Sequence, residues 1–122
     1  MSRTRKAKQS SKIMEIGAAL VSAGFLTLDA QAKALGLARS TTWTVLKGNH
    51  KGSGLSALII NRMVAAPKLP PLVREKIVEY VRDRLAGLHG HSKPQIRRFA
   101  DRLSIKTRGL IEELHRRDRS AA

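Results

Sequence analysis

The chain has 122 residues, enough for one domain with at most a small appendage. Its 24 Lys and Arg against 9 acids give a formal charge of +15, which favours polyanionic partners, nucleic acid foremost. No cysteine is present and aromatics make up 3%, which excludes disulfides and thiolate metal sites and favours a helical bundle over a sheet sandwich.

Residues 1–12 carry Arg3, Arg5, Lys6, Lys8 and Lys12 and no acid. Polar, basic residues 1–10 read as a flexible arm. A first helix is expected over 11–22, with Ile13, Ile16, Leu20 and Val21 at helical spacing and Gly24 ending it. The apolar run 16–26 followed by Ala30-Gln-Ala32 imitates a cleavable leader. Glu15 interrupts it, however, and cleavage there would split the next element. No apolar run approaches the roughly 18 residues of a membrane span, and no basic helix face carries Trp or Phe anchors.

Two short helices follow, at about 28–35 and 39–47, with Thr27 as N-cap of the first. Ala32 sits four residues before Gly36, flanked by Leu35 and Leu37, and Val45 and Leu46 return an apolar face to the junction. A small residue lets the helices approach, and glycine supplies the left-handed turn. That is the pattern of a helix-turn-helix. Placing Thr42, Val45 and Leu46 inward puts Arg39, Ser40, Trp43 and Lys47 outside, with Thr44 at the edge.

A basic loop, 49–54, leads to a fourth helix over 55–65, with Leu58, Ile59, Ile60 and Met63 inward. A fifth helix over 71–86 begins at Pro71 and turns Val73, Ile77, Tyr80, Val81 and Leu85 to one side. Residues 87–92 mark a boundary. His89 and His91 there read as linker residues, since no cysteine or nearby acid completes a metal set. Ser92-Lys-Pro-Gln95 has the form of a capping box. It opens a sixth helix bearing Ile96, Phe99, Ala100 and Leu103. A last helix bears Leu110, Ile111 and Leu114.

The expected fold is all-α. It is a compact four- to five-helix bundle over 11–87 containing the helix-turn-helix, plus a small basic helical extension over 88–122. That extension is too short for a core of its own. It must fold onto the bundle, pair with another chain or stay partly disordered, and it is also the place offered to a partner protein.

Thr27, Leu28, Ala32, Lys33, Gly36, Leu37, Ser40, Thr41, Val45, Leu46 and Gly48 resemble the DNA-binding headpiece of the Lac repressor family and the Cro-type regulators of the lambda-repressor-like superfamily. The resemblance spans residues 27–48 and weakens up to residue 86. Five positions depart from it. Ala38 stands where a capping Ser is usual, Gln31 and Thr42 where apolar residues meet, and Trp43 and Thr44 where Ser and Arg are commoner.

The resemblance implies a sequence-specific transcription regulator that inserts the 39–47 helix into the major groove of double-stranded DNA. Arg39, Ser40, Trp43 and Thr44 would meet bases. Lys33, Lys47, Asn49, His50 and Lys51, with Arg3, Arg5 and Lys6 of the arm, would meet phosphates. One motif covers few base pairs, so a homodimer is expected, at work in the cytoplasm on the nucleoid. No Ser, His and acid spacing suggests catalysis, and no cofactor is expected. Two other readings fit the same composition. One is an architectural or recombination-accessory DNA-binding protein; the other is an interaction module that holds an acidic protein.

Overall fold

A computed structural model of the chain describes the backbone of residues 2–47 and 54–121 and the side chains of residues 9–47 and 54–120. Among these residues there are seven helices and no strand: α1 (Ser2–Ser22), α2 (Leu28–Leu35), α3 (Arg39–Lys47), α4 (Ala57–Val64), α5 (Pro71–Leu85), α6 (Lys93–Asp101) and α7 (Ile105–Ala121). None is long and apolar enough to cross a membrane.

The start and stop signals act where the local chemistry places them. The Thr27 hydroxyl accepts from the Ala30 amide at 3.1 Å and starts α2. Pro71 opens α5 in the first turn, where its missing N–H has no partner to lose. At α6 the capping box is complete. The Gln95 amide donates to Ser92 Oγ at 3.3 Å, and the Ser92 amide donates to Gln95 Oε1 at 2.8 Å.

α1 lies along α5 and forms the longest helix pair of the fold. Ile13, Ile16 and Leu20 are buried against a core that takes Val73, Ile77, Tyr80 and Val81 from α5. Charges line the rim of this seam. Lys12 Nζ lies 3.3 Å from Glu79 Oε1 and 3.9 Å from Asp83 Oδ2, and Lys76 Nζ lies 3.3 Å from Glu15 Oε1.

Several expectations are corrected. The first helix begins at Ser2 rather than at residue 11, so residues 2–10 continue α1 instead of forming an arm. The segment is rich in Arg, Lys, Ala and Gln, all good helix formers, and it is anchored where Gln9 is buried. Val21 is exposed. α4 begins two residues later than expected, with Ser56 as N-cap, and its packing on the core turns Ala57 and Val64 inward beside the expected Ile60 and Met63. Leu58 is therefore 67% exposed and Ile59 only half-buried.

The helix count also exceeds four to five. Phe99 of α6, Ile111 and Leu114 of α7, and Leu103, which lies in the turn between these two helices rather than on the sixth, are buried in the same core as the other helices. Asn61 of α4 fastens their junction. Its Nδ2 donates to the Arg102 carbonyl at 2.9 Å, and its Oδ1 accepts from the Ser104 amide at 2.9 Å and from Thr107 Oγ1 at 3.1 Å.

His89 is not a linker residue on the surface. It is 4% exposed, with its ring 5.1 Å from that of Tyr80. Burial pushes its pKa from 6.5 down to about 4; Asp83 opposes the shift, and His91, Arg84 and Lys12 add to it. The folded protein thus refuses a proton that the unfolded chain accepts at pH 6.5. Stability is complete above that pH and falls on acidification until the folded His89 itself titrates. Acidifying from pH 7 to pH 4 should cost up to about 3 kcal/mol through this residue. His89→Phe, followed by urea unfolding across that range, should remove this part of the slope. Equal slopes for the two proteins would contradict the assignment.

Gly36 (φ 68°) occupies the left-handed region, and a Cβ there would stand 3.1 Å from Ala66 Cβ. Gly36→Val should therefore destabilise the fold by at least about 2 kcal/mol through backbone strain and overpacking. Urea unfolding checks this, and an unchanged midpoint would refute it.

Candidate functional site

The α2–turn–α3 unit is held from inside. The Leu37 amide donates to the Ala32 carbonyl at 3.1 Å, and the Gly36 amide donates to Lys33 at 3.3 Å, closing the end of α2. Ala32, Leu35, Leu37 and Val45 are buried, and Leu46 is half-buried. Ala66, just past α4, backs the turn.

Both polar residues at the junction are buried and satisfied. Gln31 Nε2 donates to the Phe25 carbonyl at 3.0 Å, and Thr42 Oγ1 donates to the Ala38 carbonyl at 2.9 Å. A buried polar group costs little once hydrogen-bonded, so the departures at these two positions leave the helix pair intact.

The opposite side of α3 faces away from the bundle. Arg39, Ser40, Trp43, Thr44 and Lys47 are all exposed, Trp43 by 52%. Their spacing of 0, 1, 4, 5 and 8 makes one continuous strip along the helix. Thr44 Oγ1 donates to the Ser40 carbonyl at 3.1 Å. Arg39 is steered by Asp29, with Nε 3.3 Å from Oδ1 and both side chains 70% exposed. Lys33 is exposed on α2.

The remaining expected contacts are not part of this assembly. Asn49, His50 and Lys51 lie outside the described residues. Arg3, Arg5 and Lys6 sit on the α1 backbone, and their side chains also lie outside the description. Just past residues 49–53, the Leu55 amide is turned inward: it is buried and donates to the Tyr80 hydroxyl at 2.9 Å.

Sequence reasoning passed over Arg84. It is 7% exposed, donates through Nη1 to the Leu55 carbonyl, and holds its guanidinium carbon 3.8 Å above the Phe99 ring. The available signal was its register. Arg84 stands seven residues after Ile77 and four after Tyr80, on the core line of α5. Among the described residues no group of three or more His or acidic side chains could hold a metal.

No protein-family model, curated protein or solved structure matches the chain.

Ala38 precedes α3 with no side-chain oxygen to receive a first-turn amide. Ala38→Ser should supply that acceptor and stabilise the fold by about 1 kcal/mol. A thermal melt measures the gain, and a loss of stability would show that the α3 start is built differently.

Proposed function

We propose that the protein is a sequence-specific DNA-binding regulator that lays α3 in the major groove of double-stranded DNA. The observation that carries this reading is the outward strip Arg39, Ser40, Trp43, Thr44 and Lys47, on a chain of charge +15. A major groove admits one helix, and the net charge draws the phosphate backbone toward it. The α2–turn–α3 unit serves as the helix-turn-helix, with α2 behind and Lys33 toward the backbone.

Arg39 is the proposed reader of a guanine edge. It must first release Asp29, an exposed ion pair worth about 0–1 kcal/mol. A two-hydrogen-bond contact to guanine discriminates by about 1–3 kcal/mol, so the exchange favours DNA. Ser40 and Thr44 supply hydroxyls, Trp43 an apolar face for a thymine methyl or sugar, and Lys47 a cation for phosphate. One such helix reads few base pairs, so two copies on a repeated half-site complete the reading. Work on the nucleoid, in the cytoplasm, goes with it.

Four measurements on duplex DNA test this. Affinity should fall steeply with salt, one counterion being released per neutralised phosphate. Lys47→Ala should reduce the salt slope by about 1 on every sequence. Arg39→Ala should cost about 1–3 kcal/mol on the preferred site and relax the choice of base there. Excess random duplex should leave the wild type on its site; stripping by that excess would favour an architectural protein. A flat salt response, with both variants behaving as wild type, would sink the DNA reading and favour capture of an acidic protein.

A further inference from the structure

Between the start of α4 and the outer side of α6 lies an open groove of about 270 Å³. Its wall carries Arg84, Arg98, Arg102, His91 and Gln95, with Ser56 and Ala57 at one end, and among the described residues no carboxylate lines it. Arg98 and Arg102 are one helical turn apart and exposed, and neither pairs with an acid among the described residues.

Two independent features point to a bound anion. The first is Arg84, which forms the floor. It is more than nine-tenths buried, yet among the described residues its charge meets only the Leu55 carbonyl, the Tyr80 hydroxyl and the Phe99 ring. Its Nε has no hydrogen-bond partner among the described residues. A buried cation without a counter-charge is costly, and an arriving anion offsets that cost. The second is the first turn of α4. Ser56 Oγ accepts from the Ile59 amide and its carbonyl from the Ile60 amide, which leaves the Ala57 and Leu58 amides free of these bonds at the groove end. Amides at a helix start favour an oxyanion.

The geometry points to a phosphate site: a phosphate group seated between Arg98, Arg102 and the first turn of α4, above Arg84. Paired guanidiniums match the oxygens of a phosphate. The group has two possible sources, a free phosphorylated molecule or a DNA backbone, and only the second rests on the DNA reading.

The test uses the full chain and three proteins: wild type, the double variant Arg98→Gln/Arg102→Gln, and Arg97→Gln, which removes a charge from α6 outside the groove wall. Pyrophosphate is titrated while the backbone amide resonances are followed. For a free ligand, the Ser56, Ala57, Leu58 and Gln95 signals should shift saturably. The double variant should then weaken binding about tenfold or more while Arg97→Gln leaves it unchanged. If pyrophosphate leaves those signals still, the duplex arm decides. A backbone phosphate predicts that the double variant lowers the salt slope by about 2 and Arg97→Gln by less than half of that. No response in either arm, or equal effects of the double variant and Arg97→Gln, would overturn the site.

Discussion

The contact on which the rest depends is the one between Gly36 and Ala66. With Gly36 left-handed and its Cα face against the Ala66 methyl, α2 ends and α3 departs at a fixed angle. That angle decides which side of α3 is buried. Thr42 and Val45 go in, and the strip from Arg39 to Lys47 goes out. Ala66 is itself placed by α4, and α4 is held by α5 and by α7 through Asn61. The C-terminal helices thus brace the helix pair from behind as members of one core.

Charge is sorted by the same packing. Glu15, Glu79 and Asp83 are occupied by Lys12 and Lys76 along the α1–α5 seam, and Asp118 is occupied by Arg82 at 2.7 Å. Hydrogen bonding to Glu15 and the nearby Glu79 charge raise the pKa of Lys76, which extends its charged form further into alkaline pH. Acids held on this seam do little to cancel the field elsewhere. The strip on α3 and the arginines lining the groove beside α6 keep their positive character, and among the described residues no carboxylate lines that groove.

Much of this was legible in the sequence because the signals were local. Thr27, Gly36, Pro71 and the Ser92–Gln95 box each act within a few residues, and each does what its chemistry requires. The inward and outward sides of α3 follow from 100° per residue alone. What failed depended on distant partners. The face that α4 buries is chosen by the core beneath it, which took Ala57 and Val64 and left Leu58 exposed. The burial of His89 depends on Tyr80, and that of Arg84 on Leu55 and Phe99, none of them adjacent in sequence. The helical start of the chain was hidden by its charge, which reads as an arm until Gln9 and Ile13 are seen to anchor it.

The central claim is that the outer strip of α3 reads base edges, and selection from a pool of random duplexes tests it most directly. Wild-type protein should recover fragments that share a short sequence, repeated if two copies act together. An Arg39-substituted protein should recover a sequence altered at one position of that repeat. Recovery of the pool unchanged, or of the same sequence by both proteins, would contradict the claim.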